Sequence, residues 1–202
     1  MSILITGNQG YIGSVLTDYL VNKNYNIIGY DVGFYNENSL YEISTSNKQI
    51  TKDIRDIEDN DFSGVETVIF LAALSNDPLG ELNPKITHEI NYEATINFIL
   101  KAKKNKIKKL IFISTQSIYG ISNTSDELEE DSSKKNPITE YAKAKYKTEL
   151  HLKDMANDDF IITILRPSTV FGKSPKFRSD IVFNNFMGCA YVKNKIEILS
   201  DG

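Results

Sequence analysis

Tyr141 and Lys145 stand four residues apart in the stretch TEYAKAKYKTEL, residues 139–150. On an α-helix that spacing brings two side chains within about 40° of each other around the axis, so a phenol and an ammonium can converge. A free phenol releases its proton near pH 10 and is a poor base until neighbouring positive charge stabilises the phenolate. The pair could therefore take a proton and return it. The same pattern arises by chance in lysine-rich helices, and Lys143 and Lys147 of this stretch read as solvated decoration. Other parts of the chain have to place the pair in a site.

The stretch ITGNQGYIGSVL supplies a second candidate, because Gly7, Gly10 and Gly13 follow a predicted strand and open a predicted helix. Gly7 permits a tight turn, Gly10 lets backbone approach a pyrophosphate, and Gly13 allows close packing of helix on strand. The N–H groups at the helix start then face an anion. Gln9, Tyr11 and Ile12, between and beside the glycines, complete the candidate cofactor contacts. The spacing is one residue longer between the first two glycines than the commonest dinucleotide fingerprint. Asp31 ends the second predicted strand, 21 positions after Gly10, close to the roughly 20-residue interval of a ribose-binding carboxylate. Its charge would repel a 2′-phosphate and no arginine adjoins it, so NAD is favoured over NADP.

The elements that must position these groups alternate. Apolar, β-branched runs at Ser2–Ile5, Asn26–Tyr30, Gln49–Thr51, Thr67–Leu71, Leu110–Ser114 and Ile161–Leu165 are separated by helical periodicity, as in Ile12, Val15, Leu16, Tyr19, Leu20 and again in Ile90, Ala94, Phe98, Ala102. Such alternation predicts a doubly wound, Rossmann-type α/β fold with a parallel sheet. Residues 1–170 read as an NAD-binding domain carrying the catalytic residues. Residues 171–202 read as the incomplete start of a substrate-binding lobe, with a helix over Ile181–Ala190 and a short strand over Lys195–Leu199. Ending on SDG straight after a strand, the chain reads as interrupted. The polar stretch SDELEEDSSKKNP, residues 125–137, is expected to cross the surface.

The 202 residues are 41% hydrophobic and 25% charged, the composition of an ordinary globular protein. No apolar run approaches the roughly 18 residues of a membrane span, and MSILITG lacks the features of a signal peptide, so the cytoplasm is the expected location. A net charge of −4 offers nothing to nucleic acid. The basic run KAKKNKIKK, residues 101–109, reads as a solvated helix end. Cys189 is the sole cysteine, without a named activating partner, and His88 and His151 lack metal-ligand spacing. No metal is expected.

Taken together, TGNQGYIG, ISTQSIYG at residues 113–120 and the Tyr141–Lys145 pair resemble the extended short-chain dehydrogenase/reductases that act on nucleotide sugars, the NAD-dependent epimerase/dehydratase family. The resemblance runs from Met1 to about Gly202. It implies that Tyr141 removes a sugar hydroxyl proton, that Lys145 and the oxidised nicotinamide lower its pKa, and that Thr115, four residues before Tyr119, polarises the same oxygen. It further implies that Asp53 and Ile54 hold adenine, that Leu71, Ala72 and Ala73 line the cofactor, that Pro167 passes the nicotinamide, and that Asn91 ties its helix to the central strands. Asn184, Asn185 and Arg178 are expected near the substrate diphosphate, while Ser75, Asn76, Asp77 and Gln116 are candidates for the sugar. A 4,6-dehydratase of the family would carry an acidic pair where this chain has Gln116 and Ser117, so dehydration is disfavoured. The expectation is an NAD-dependent nucleotide-sugar epimerase acting at C4, with a one-way dehydrogenase or keto-reductase, or a non-catalytic NAD-binding protein, as the other readings. A homodimer through helices at Pro84–Lys104 and Ile138–Met155 goes with it.

Overall fold

A computed structural model of the chain describes residues 2–75, 77–121 and 127–198. Six strands, β1 (Ser2–Thr6), β2 (Asn26–Asp31), β3 (Lys48–Thr51), β4 (Val65–Phe70), β5 (Lys109–Ile113) and β6 (Ile161–Leu165), form one sheet in the order β3-β2-β1-β4-β5-β6. Every pairing is parallel. Parallel neighbours need a crossover; helices supply it between β1 and β2, β4 and β5, and β5 and β6, whereas residues 32–47 cross from β2 to β3 without a helix. The order reverses between β1 and β4, so the crevice beyond their carboxyl ends is the switch point at which such sheets bind ligands.

Side-chain alternation along the strands builds two cores. Ile3, Ile5, Ile27 and Ile69 pack under Leu16 and Leu20 of α1 (Tyr11–Asn22). Leu4, Tyr30, Val68, Phe70, Leu110 and Phe112 form the larger core on the other face, with Phe98, Ile99 and Leu152. Phe98 is fully buried and meets Phe62 and Phe70 edge-on, with ring centroids 5.2 Å apart in each pair. Only part of the apolar stripe expected on α1 is inside: Ile12, Val15 and Tyr19 are exposed, whereas Gly13, Ser14 and Thr17 are buried. Close approach of the helix to the turn before it selects small residues on that side.

After β4 come two short helices, α2 (Asp77–Leu82) and α3 (Pro84–His88), and then α4 (Thr95–Lys104). A π-helical turn, Glu89–Ala94, joins α3 to α4, and the Thr95 hydroxyl donates to the Ile90 carbonyl at 3.1 Å across it. The 3.6-residue pattern of Ile90, Ala94, Phe98 and Ala102 shows the helix but not this extra residue. The lysines that follow, read as a solvated helix end, also make specific links. Lys103 donates to the Met155 carbonyl at 2.7 Å, Lys104 pairs with Asp59 at 2.8 Å, and Lys101 donates to the Ile57 carbonyl.

The 16-residue helix α5 (Glu140–Met155) is capped by the Thr139 hydroxyl, which accepts from the Ala142 N–H at 3.2 Å. Residues 127–137, ahead of it, run largely exposed over the surface as expected, and residues 125 and 126 lie outside the described part. The last helix is α6 (Val182–Lys193), three residues longer at its end than the pattern indicated. The strand expected at Lys195–Leu199 is not formed over residues 195–198, and Leu199 lies outside the described part. β-branched residues supply a propensity, but a strand needs a neighbour, and no described strand lies beside this run.

Phe98→Ala removes the ring on which Tyr30, Phe62 and Phe70 converge. It is expected to lower unfolding free energy by about 3–5 kcal/mol in urea titration; a loss under about 1 kcal/mol would contradict this account of the core.

Candidate active site

Backbone dictates the turn after β1. Gly7 has φ +70°, and a Cβ there would lie 2.9 Å from the Ala72 nitrogen. A Cβ on Gly13 would come within 2.0 Å of the Gly7 carbonyl oxygen, so Gly13 packs against the turn itself rather than against the strand. Gly10 precedes α1 in extended conformation, its N–H donating to the Gly7 oxygen at 3.1 Å. The first turn of α1 carries no acidic residue, leaving its N–H groups and positive dipole end available to an anion.

Asp31, the expected ribose carboxylate, sits at the end of β2 beside the glycine turn. Its two carboxylate oxygens accept from the N–H groups of Gln9 (3.0 Å) and Gly33 (2.9 Å). Gln9 Oε1 is buried without a hydrogen-bond partner. An orphaned acceptor costs free energy unless a donor reaches it, and next to Asp31 a sugar hydroxyl would do so. The chain also brings a cation here: Lys176 donates to the Asn36 carbonyl at 3.1 Å, and burial lowers its pKa while the Asp31 charge opposes the shift.

Three further residues shape the turn. The buried Thr6 hydroxyl accepts from the Leu71 and Ala72 N–H groups, both at 3.1 Å, fixing the β4 end against β1. Buried Asn8 exchanges amide hydrogen bonds with Gln49 at 2.9 and 3.2 Å. Gly29 makes room, since a Cβ there would lie 2.3 Å from both Asn8 Nδ2 and Gln49 Oε1. An amide, a hydroxyl and a strand glycine carry no motif, and sequence reading passed over them.

Of the adenine candidates, Ile54 is buried in the larger core, so its backbone rather than its side chain is what a ligand could meet. Asp53 caps the turn Ile54–Asp56, and Arg55, 2.8 Å away, holds its carboxyl below the usual range. Leu71, Ala72 and Ala73 are half-buried at the β4 end. Asn91 ties the π-helical turn to Leu74 in the chain beyond β4 rather than to the central strands themselves. Its oxygen accepts from the Leu74 N–H at 2.8 Å and its amide donates to the Leu74 carbonyl at 3.0 Å.

At the end of β5, Thr115 caps a 3₁₀ turn, Gln116–Tyr119. The Thr115 hydroxyl accepts from the Ser117 N–H and donates to the Ser117 hydroxyl, both at 3.1 Å. The Gln116 N–H donates to the Pro167 carbonyl at 3.1 Å, joining this turn to the segment after β6. Gln116, Ser117, Thr139 and Arg166 line an open cleft of about 660 Å³. Beside it on α5, Lys145 is buried and donates to the Ile113 carbonyl at 2.7 Å. Its ammonium lies 5.9 Å from the centre of the Tyr141 ring. Lys143 and Lys147 are exposed, Lys147 lying 3.9 Å over the Tyr92 ring. Helix spacing thus delivers the convergence of Tyr141 with Lys145, and β5 delivers Thr115 to the same end of the sheet.

Residues 172–185 fold back onto Tyr11, at the end of the glycine turn. The Tyr11 hydroxyl donates to the Gly172 carbonyl at 2.7 Å and accepts from the Asn184 amide at 3.0 Å. The Ser174 hydroxyl donates to the Tyr11 carbonyl at 2.8 Å. Asn184 is buried, and its amide also donates to the Arg178 carbonyl at 3.0 Å, so its polar atoms serve this strap. Asn185 donates to the Ser179 carbonyl at 3.1 Å. Arg178 pairs with Asp180 at 2.5 Å and donates to the Ser75 hydroxyl at 3.3 Å, within electrostatic range of Tyr141. Arg178, Ser75 and Tyr141 therefore share one mouth. Asn76 and the Asp77 side chain lie outside the described residues. Among the described residues no cluster of three metal-ligating side chains occurs, and no helix is long and apolar enough to cross a membrane.

A parallel sheet in this order, a glycine turn at its switch point, a carboxylate at the end of β2 and a Tyr-x-x-x-Lys helix facing the end of β5 define a dinucleotide-dependent enzyme class of the extended short-chain dehydrogenase/reductase type. Residues 3–202 match the family model of the NAD dependent epimerase/dehydratase family, and the chain belongs to that family. It is 33% identical over 189 residues to a putative UDP-glucose 4-epimerase of Methanocaldococcus jannaschii, covering 89% of this chain and 60% of the relative. It is 25% identical to the N-acetyl-alpha-D-glucosaminyl-diphospho-ditrans,octacis-undecaprenol 4-epimerase of Escherichia coli O157:H7, covering 98% of this chain and 62% of that protein. The UDP-glucose 4-epimerase structure from Thermotoga maritima superposes with a TM-score of 0.79 at 26% identity, over 100% of this chain and 67% of that one. The chain thus spans about three fifths of the length of these two curated relatives.

Burial pulls the Lys145 pKa down to about 7, against the opposing charge of Glu149. The unfolded chain keeps this proton up to the ordinary lysine value of 10.5. Between those limits the unfolded state holds more protons, so stability rises with pH through that window. Relative to Lys145→Met, the ligand-free parent should gain unfolding free energy between about pH 7 and pH 9 in urea titration. A difference independent of pH would show that Lys145 does not titrate there.

Proposed function

We propose that the protein is an NAD-dependent nucleotide-sugar epimerase acting at C4, working in the cytoplasm as a homodimer, with residues 1–170 as its NAD-binding and catalytic domain. The observation that carries this reading is the meeting of Tyr141, the buried Lys145 ammonium and the Thr115 turn at the same carboxyl edge of the sheet as the glycine turn of β1. The site fits NAD: Gly7, Gly10 and Gly13 leave bare backbone at the start of α1 for the pyrophosphate, and Asp31 with the orphaned Gln9 Oε1 offers acceptors to a ribose. Bound there, NAD supplies a reversible hydride acceptor.

The protein's own residues then handle the proton. Tyr141 takes it from a sugar hydroxyl, its phenolate stabilised by Lys145 when that ammonium is charged, and returns it later in the cycle. Thr115 can turn its hydroxyl from Ser117 toward the same sugar oxygen. Arg178 and Ser75, on the other side of the mouth, suit a phosphate or sugar hydroxyl. Gln116 and Ser117 are not acids at neutral pH, which favours epimerisation over elimination of water.

Residues 171–202 are read as the opening of a substrate lobe. Supporting this, α6 leaves Phe183, Met187 and Tyr191 exposed along one side, an apolar stripe of the kind that further structure covers. The half-exposed Leu100 on α4 and Leu150 on α5 support the dimer.

Full-length protein supplied with UDP-, GDP- and dTDP-sugars tests the reading. An isomer formed without net NADH marks an epimerase, accumulating NADH marks a one-way dehydrogenase, and neither with any sugar marks a binding protein. Tyr141→Phe should lower kcat by roughly 10²–10⁴-fold while NAD remains bound; undiminished turnover would remove Tyr141 from the mechanism.

A further inference from the structure

Behind the proton-handling pair lie two charges that the proposed reaction does not use. Glu149 follows Lys145 by one turn of α5 and is only 1% exposed. Arg166 follows β6 and grips it from two nitrogens: Nε lies 3.0 and 3.2 Å from the two carboxylate oxygens, and Nη2 lies 2.7 Å from the second. Nη1 turns the other way, donating to the Tyr119 hydroxyl at 2.9 Å and to the Glu130 carbonyl at 2.6 Å. Tyr119 is the last residue of the 3₁₀ turn that Thr115 caps. One guanidinium thereby spans α5, the Thr115 turn and the loop that leads back to α5.

Stability alone is a weak account of this arrangement. Removing two charges from water costs several kcal/mol per ion, and apolar residues of similar size often hold a core as well or better. What a forked guanidinium supplies is fixed orientation in more than one direction. Orientation is what the site requires, because Thr115 comes from β5 and Tyr141 from a helix that packs over it. The Lys145–Ile113 hydrogen bond ties those elements in front of the turn, and Arg166 ties them behind it. Its neighbour Pro167 adds the bond from Gln116.

We propose that Arg166 is a positioning residue: held by Glu149, it acts through Tyr119 to fix the Thr115 turn against the Tyr141–Lys145 face of α5. This rests on the reading of Tyr141 as the proton acceptor. The proposal assigns a function to the Tyr119 hydroxyl beyond packing, and it makes the charge of Arg166 less important than its fork.

Two conservative variants of the full-length protein test it. Tyr119→Phe removes one oxygen and leaves the ion pair intact; Arg166→Lys keeps the charge and loses the fork. Each should lower kcat, counted per NAD-loaded site, by roughly 10–100-fold, the cost of misplacing a reacting group by about 1 Å. The KM for the sugar nucleotide should change less than about twofold, because Thr115 is asked to contribute to the transition state rather than to ground-state binding. Should both variants turn over within about twofold of the parent per loaded site, the proposal fails even if their melting temperatures drop. A rise in KM at unchanged kcat would likewise overturn it. Tyr141→Phe assayed alongside separates the two ideas. If that variant is fully active the functional reading itself is lost, whereas an inactive Tyr141→Phe beside unaffected Tyr119→Phe and Arg166→Lys removes only the role given to Arg166.

Discussion

The hydrogen bond from the Lys145 ammonium to the Ile113 carbonyl is the constraint around which the rest of the site is arranged. An ammonium is buried at a large desolvation cost unless it has a partner and a use. Here the partner is the carbonyl of the last residue of β5, with the Phe112 ring 4.6 Å from the same nitrogen. That one contact pins α5 across the carboxyl edge of the sheet. Ala142 and Ala144, both buried, put little side-chain bulk between the helix and its neighbours. Tyr141, one turn earlier on the same helix, keeps its ring 5.9 Å from the Lys145 nitrogen.

The sheet order makes this edge coincide with the glycine turn. β1 and β4 are neighbours although β2 and β3 come between them in sequence, and the Thr6 hydroxyl locks their ends together through the Leu71 and Ala72 N–H groups. Ligands of open parallel sheets sit outside such a reversal because the two crossovers leave it in opposite directions and open a crevice. Residues from the later part of the chain then return to it. The strap from Gly172 to Asn185 engages Tyr11 through both its hydroxyl and its carbonyl, so the segment read as the start of a substrate lobe is joined directly to the glycine turn.

Local patterns were informative where local physics decides the outcome. Six strands stand within two residues of their sequence-read starts, and β1, β2 and β4, buried on both faces, are the short apolar runs that a central parallel strand must be. Gly7, Gly10, Gly13 and Asp31 were legible since the turn imposes its own residue types and spacing. The pattern failed where a distant partner decides. Despite their alternating isoleucines, residues 195–198 stay irregular for want of a neighbouring strand, and Lys101, Lys103 and Lys104, legible only as a solvated helix end, make links because Ile57, Met155 and Asp59 lie within reach. Asn8, Gln49 and Gly29 were invisible for the same reason: their fit is an agreement between three separate elements.

Residue order alone settles that the chain alternates strand and helix, that a glycine turn meets a helix start, that a carboxylate follows at the ribose interval, and that a phenol and an amine share a helix face. Each of these is set within a few residues by dihedral preference and periodicity. It took the packed molecule to establish that Lys145 is buried against Ile113, that Arg166 reaches both Glu149 and Tyr119, and that Asn184 turns to Tyr11. Those are meetings of residues 17 to 173 positions apart, and no local preference encodes a distance that the packing of the whole sheet must set.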